Sequence, residues 1–240
     1  MSIGSPEDLR GMRAAGRAVA LTLATMRGEV RPGVTTAQLD RTAGRVLAAV
    51  GAHSAHGADG FPGETCISLN DEALHGIPGH RAIEPGDLVT LAVTLEVAGY
   101  VADAAVTVPV PPADDEALAL CACAEAALVQ GVRAARAGQA VSEIAAAVRR
   151  ETERRGFLVL RDLDGHGQGC RLHDADRRPA DDRLEDGTVI TIEPIVAAGT
   201  EQVRQLADGW TVATADGGRS AHAEHTLLVR NGRALVLTAP

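Results

Sequence analysis

Near the N-terminus the apolar residues Leu9, Met12, Val19, Leu23, Met26 and Val30 recur at three- and four-residue steps. That spacing lines one face of a helix and predicts an amphipathic element. Ser5-Pro6-Glu7-Asp8 opens it with an N-cap, a proline in the first turn and acids at the positive helix end, and Pro32-Gly33 stops it. Thr35 followed by Gln38 is a capping-box pair, which starts a second helix through Leu39, Val46, Leu47 and Val50. Cys66-Ile67-Ser68-Leu69 then reads as a strand. Leu88 to Val97 and Tyr100 to Val108 are two β-rich runs joined by Ala98-Gly99, a hairpin signal. Two further helices are predicted over 114–137 and 141–155. Strands follow at 157–161, 188–195, 210–214, 222–229 and 234–238, with a charged loop at 174–187.

The order of elements repeats. Arg31-Pro32-Gly33-Val34-Thr35-Thr36-Ala37-Gln38-Leu39 is echoed by Arg136-Ala137-Gly138-Gln139-Ala140-Val141-Ser142-Glu143-Ile144. Each stretch joins a long helix to a shorter one and leads into strands. No Pro/Gly/Ser-rich linker separates the halves. The expectation is an α+β chain with pseudo-two-fold symmetry, a single domain over 1–240 with a short N-terminal tail at 1–4.

Composition narrows the class. Of 240 residues 45% are hydrophobic and 23% charged, the balance of a folded globular chain, so disorder is excluded as the dominant state. Acids outnumber bases 32 to 23 for a net charge of −9, which argues against nucleic acid or an anionic membrane as partner. No apolar run approaches the roughly 18 residues of a membrane span, and the N-terminus lacks a basic-then-apolar leader. A cytoplasmic monomer is the expectation. Every basic residue is arginine, which we read as codon bias. Aromatics are only 2%, so Phe61, Tyr100, Phe157 and Trp210 each stand out in an aliphatic background. Cys121 and Cys123 fall within a helical pattern two positions apart, about 200° of rotation; one core and one surface cysteine are expected rather than a ligand pair.

Four segments place ligand-type residues inside apolar strand or glycine-rich patterns: Ala102-Asp103-Ala104, Gly165-His166-Gly167, Thr191-Ile192-Glu193-Pro194 and Ala223-Glu224-His225-Thr226. A carboxylate on an apolar strand is costly to bury unless paired or bound to a cation. One imidazole with three carboxylates is a mixed N/O donor set that suits Mn, Fe, Co or Zn.

The ordered motifs Cys66-Ile67-Ser68-Leu69-Asn70, Leu74-His75-Gly76-Ile77-Pro78, Gly165-His166-Gly167, Ile192-Glu193-Pro194 and Glu224-His225-Thr226 resemble the type I methionine aminopeptidases. Ser5 to Gly16, Pro32-Gly33-Val34 and Asp208-Gly209-Trp210-Thr211-Val212 fit the same pattern, so the resemblance runs from about residue 5 to 238. It implies the pita-bread fold, an antiparallel sheet covered by two helix pairs, and metal-assisted removal of methionine from the N-terminus of a peptide or nascent chain. By resemblance Asp103, His166, Glu193 and Glu224 fall on metal-ligand positions, with Glu193 also the general base. His75 and His173 match the histidines that contact the substrate amide. Phe61, Cys66, His75 and Trp210 match the methionine pocket, whose soft apolar walls suit a thioether. His53, His56, His80 and His222 match nothing in the pattern, and His225 belongs to a motif but not to the ligand set; all five are expected to be structural or exposed.

The family's first ligand, an aspartate, falls on Ala92 in Thr90-Leu91-Ala92-Val93-Thr94. Glu96 shares that strand face but lies about 13 Å along it, too far to substitute. The remaining ligands imply one firmly bound divalent metal and at most two. Three readings stay open at this point: a weakened or single-metal aminopeptidase, a relative turned to binding or to another small molecule, and an alanine introduced to disable the enzyme. Asp174-Ala175-Asp176 also departs from the family's sequence after His173. Ala58 and Leu172 replace aromatics often found in the pocket, which implies a wider one.

Overall fold

The computed structural model describes residues 3–56, 60–160 and 180–239. His166 and His173, with Ala58, Cys170, Leu172 and Asp174-Ala175-Asp176, lie outside them. The described chain runs α1 (Pro6–Glu29), α2 (Thr36–Val50), β1 (His53–Ser54), β2 (Cys66–Leu69), β3 (Glu72–Leu74), β4 (Leu88–Val97) and β5 (Tyr100–Pro109). It continues with α3 (Asp115–Ala134), α4 (Val141–Arg154), β6 (Leu158–Val159), β7 (Val189–Ile192), β8 (Ile195–Ala197), β9 (Val203–Gln205), β10 (Val212–Thr214), β11 (Ser220–Arg230) and β12 (Arg233–Val236).

Capping starts the helices where the sequence predicts. Asp8 N donates to Ser5 Oγ at 3.1 Å, and the Asp8 carboxylate accepts from Ser5 N at 3.0 Å. Thr35 and Gln38 make the equivalent pair at 3.2 and 2.8 Å. Both satisfy orphan amides of the first helical turn. Ala98 and Gly99 both hold positive φ, 51° and 85°, the two-residue turn whose twist matches a hairpin, and β4 pairs with β5 in unbroken register from Leu88–Pro109 to Val97–Tyr100.

A nine-stranded antiparallel sheet follows the order β1-β4-β5-β11-β8-β6, with β2 beside β4 and with β7 and β12 beside β11; β3, β10 and β9 form a second small sheet. Two apolar clusters cover one face. One joins Met12, Val19 and Met26 of α1 and Leu39 and Leu47 of α2 to Val89, Leu91 and Val93 of β4. The other joins Leu120, Ala124 and Leu128 of α3 and Ile144 and Val148 of α4 to Ile190, Ala223 and Leu227. Each large aliphatic side chain fully buried there is worth about 1.5–3 kcal/mol. The expected sheet with two helix pairs is this arrangement.

The internal echo is geometric as well. Gly33 at φ 86° donates to Ile83 O at 2.8 Å, and Gly138 at φ 88° donates to Leu184 O at 2.7 Å. Thr35 bridges Ala82 and Ala140 bridges Arg183. Gly86 and Gly187, at φ 91° and 92°, then turn the chain into β4 and β7.

Some expectations are corrected. Cys121 and Cys123 do face opposite ways, but both are buried, because α3 is covered by the sheet side on one flank and α4 on the other. By length and mean hydropathy α3 could cross a membrane although Glu125 interrupts its apolar run, and Ala117, Leu120, Cys123, Ala124 and Ala127 on it are buried as in a core helix. The predicted strand 188–195 is two strands, since Pro194 has no amide to continue the ladder. The short strands β1, β3 and β9 were not anticipated.

Candidate metal centre and side-chain pocket

Strand alternation builds the site. Residues paired across a sheet share a face, so the pairings Cys66–Ala92, Ala92–Ala105 and Ala105–Glu224 set four residues in one line across β2, β4, β5 and β11. On the far side of β11, His225 pairs with Ile192 and His222 with Ile195, a constant register that puts Glu193 opposite Glu224 at the Pro194 break. The period of two adds Asp103 and Thr107 on β5 and His222 and Thr226 on β11 to the same face. The opposite face carries the aliphatic residues that meet the helices.

The carboxylates converge. Thr226 Oγ1 donates to Asp103 Oδ1 at 2.8 Å, and Asp103 N donates to Thr226 Oγ1 at 2.9 Å, which locks Asp103 against β11. Burial pushes the Glu224 carboxyl well above the usual carboxylate range, and the charges of Asp103 and Glu193 push it further the same way. Such a cluster is costly in the absence of a compensating cation. Glu193, His222 and Glu224 offer ligand atoms within 4.8 Å of one another. The donor set therefore fits a hard to borderline divalent ion.

His222, expected to be structural or exposed, is buried among the acids. It is 1% exposed, not a surface histidine, and Nε2 stands 4.0 Å from Glu193 Oε2 and 3.9 Å from Glu224 Oε2. Neither ring nitrogen has a hydrogen-bond partner among the described residues. Burial, then the charge of nearby His75, pushes its pKa down to about 3, so the ring is neutral. A signal was present: His222 lies two positions before Glu224, hence on the same strand face.

Beside this cluster Phe61, Trp210, His56 and Cys66 gather into a mostly apolar wall. The rings of Phe61 and Trp210 meet edge to face with centroids 5.4 Å apart. His56, expected to be structural or exposed, packs on Phe61 at 5.5 Å and stands 3.7 Å from Cys66 Sγ, so it belongs to the wall. Burial pushes the Cys66 thiol far up, and Asp40 and Glu224 act in the same direction, which keeps it a neutral, soft surface. Local bonds hold these walls. Asp40 of α2 accepts from Glu64 N at 3.1 Å and Thr65 N at 2.9 Å just before Cys66. Asp208 accepts from Trp210 N and Thr211 N, both at 2.8 Å, in a turn that presents the indole.

His75 sits at φ 55°, in the left-handed region, after β3. The next residue explains how that turn fits: a Cβ on Gly76 would collide with the carbonyl oxygen of Ile67, so only glycine lets it lie against β2. Gly76 N donates to Ser68 Oγ at 3.0 Å, and Thr211 Oγ1 donates to His75 O at 3.4 Å. His75 is thus tied to the same segment as Trp210. Glu96 lies on β4 opposite His53 and Val101, at the hairpin end, away from the acids. Ala92 itself is half-buried between buried Thr90 and Thr94. His53 and His80 are exposed, as expected. His225 points to the opposite face, where it bonds Thr238 Oγ1 at 2.9 Å.

Comparison with known proteins agrees with this geometry. The model of metallopeptidase family M24 matches residues 10–231. A methionine aminopeptidase of Treponema pallidum is 40% identical over 99% of this chain and 96% of its own length. Methionine aminopeptidase 1 of Bacillus subtilis is 39% identical over 94% of each. The crystal structure of methionine aminopeptidase from Thermotoga maritima superimposes over 100% of both chains with a TM-score of 0.96 at 31% identity.

Proposed function

The chain belongs to metallopeptidase family M24, and from that premise we propose that it removes N-terminal methionine from peptides or nascent proteins. The observation that supports the reading is the Asp103–Glu193–Glu224 cluster acting on Cys66, whose neighbours include the Phe61–Trp210 ring pair through His56. An acid cluster alone would hold a cation, and an apolar pocket alone would hold a side chain. Together they suit cleavage next to a recognised N-terminal residue.

Asp103, Glu193 and Glu224, with His166 on the strength of the resemblance, would hold the metal. When bound, a divalent ion supplies Lewis acidity that acidifies water and polarises the scissile carbonyl. Glu193, at the edge of the cluster and less enclosed than Glu224, takes the proton from the attacking water and returns it to the leaving amine. His75, fixed through its own carbonyl and Gly76, contacts the substrate amide, with His173 in the matching role. The pocket binds the thioether and excludes water, with His56 against Phe61 and Cys66 as part of its wall.

The whole is one catalytic unit over 1–240, a monomer acting in the cytoplasm on peptide N-termini without nucleic acid or membrane. One divalent metal would be held firmly and at most one more weakly, because Ala92 has no donor. Mn, Fe, Co and Zn all remain chemically suitable. The test is hydrolysis of Met-Ala-Ser by metal-stripped protein reloaded with each ion, beside Ala92→Asp. Activity in the parent with one metal equivalent is expected. Activity only in Ala92→Asp would mark a switched-off form. Silence in both would overturn the peptidase reading in favour of a binding protein or another small-molecule enzyme, the alternative that Ala92 favours.

A further inference from the structure

We propose that His222 is itself a metal ligand, binding through Nε2 together with Glu193 and Glu224, so that the centre is strengthened on the side of β11 and β7. This deepens the metallopeptidase reading and rests on it.

A histidine buried for packing normally finds partners for its ring nitrogens. His222 has none among the described residues, although it is 1% exposed. It is also held firmly at the backbone: its N–H donates to Thr107 Oγ1 at 2.8 Å, and its carbonyl accepts from the same hydroxyl at 3.0 Å. Strand alternation aims the ring at the face of Glu224. There Nε2 stands 3.9 and 4.0 Å from two carboxylate oxygens, too far for a hydrogen bond to either. A divalent ion seated among the three atoms, at metal–ligand distances of about 2.1 Å, satisfies all of them after side-chain shifts of a few tenths of an ångström.

His222 does not refill the place of residue 92. Ala92 lies two strands away from Glu224, about 10 Å across the sheet. The lost carboxylate and the added imidazole thus act on opposite sides of the centre. The donor set becomes richer in nitrogen and poorer in carboxylate, which favours Zn and Co over Mn.

The test titrates Co(II) and Mn(II) into metal-stripped parent, His222→Gln and Glu224→Gln, with circular dichroism of each apo form. Loss of second-layer partners of a metal commonly costs 10–100-fold, so loss of a direct nitrogen ligand is expected to weaken Co(II) by at least about tenfold. The d–d spectrum of the Co(II) form should change with it, and Mn(II) affinity should fall less. In unsubstituted protein with labelled histidine, one-bond cadmium-113 to nitrogen-15 coupling should appear at His222 Nε2, a readout that needs no variant. An unchanged Co(II) spectrum and affinity in His222→Gln, or no coupling at His222, overturns the proposal. If Glu224→Gln still loses the ion, the metallopeptidase reading survives that result. If the parent itself binds no ion, both fall.

Discussion

The two halves of the molecule are built to one plan and differ where the chemistry is. Gly86 and Gly187 turn into β4 and β7 with nearly the same φ, and Ala92 and Glu193 stand at the same distance along the chain from them. In the line of residues across the sheet, Ala92 neighbours Ala105 on one side of the central β5–β11 pairing, and Glu193 neighbours Glu224 on the other. One half offers a methyl group where the other offers a carboxylate. The second half also carries His222. Symmetry of fold therefore does not impose symmetry of chemistry, because a strand position fixes where a side chain projects and leaves its donor atoms free to vary.

Breaking the richer half should have the largest effect. Glu193→Gln keeps the shape but removes the proton acceptor and a ligand charge, and turnover on Met-Ala-Ser should fall at least about 100-fold, measured at saturating metal with the apo fold checked by circular dichroism. Unchanged turnover would remove Glu193 from the mechanism. Restoring symmetry is the next largest step. Ala92→Asp places a carboxylate on a half-buried spot of the same face, and metal stoichiometry by titration should rise from one equivalent to two. Turnover should increase on the order of tenfold. A stoichiometry still at one would show that residue 92 lies outside the reach of a second ion.

These differences also show what the sequence could convey. Ser5 with Asp8 and Thr35 with Gln38 are local devices, so both helix starts were legible, and Ala98-Gly99 marked its hairpin for the same reason. β3 and β9 have three residues each, too few for a period to show, and exist through pairing with β10. Asp103, Glu193 and Glu224 were legible because acids interrupt apolar strands. The motif pattern leaves His222 out, although its spacing from Glu224 places it on the same strand face as the acids. His56 was illegible for another reason: it meets Phe61 and Cys66 only once the chain has folded back on β4.

The helix starts allow a smaller test of the same asymmetry. Thr35 caps α2 with its hydroxyl, whereas its counterpart Ala140 at α4 has no side-chain oxygen; Glu143 still reaches back to Ala140 N at 2.9 Å, half of the box. Thr35→Ala should cost about 1 kcal/mol, and Ala140→Thr should add about 0.5–1 kcal/mol by completing the missing half. Thermal or urea unfolding of the two variants would show opposite shifts. Equal and negligible shifts would mean that neither cap limits stability.

Acid should produce the smallest contrast. In the first half Asp8 is held below the usual carboxylate range by Ser5, then Tyr100. In the second half Arg154, then Arg155, hold Glu151 down to about 2, a large displacement from the usual glutamate value. A carboxyl whose folded pKa lies below its unfolded value stabilises the fold above the unfolded value, and that contribution is lost as the pH falls through the folded one. For Glu151 the window therefore runs from about 4.5 down to about 2. Neither group is deeply buried, so each effect is small; that of Glu151, which rests on its arginine pairs, should shrink in salt, whereas that of Asp8, held by neutral hydrogen-bond donors, should not. Melting temperatures at pH 5 and pH 2.5 should converge more in Glu151→Gln than in Asp8→Asn, because the larger displacement belongs to Glu151. The reverse order would place the greater acid sensitivity at the Ser5–Asp8 start of α1, where Tyr100 ties the helix to the hairpin at 3.1 Å.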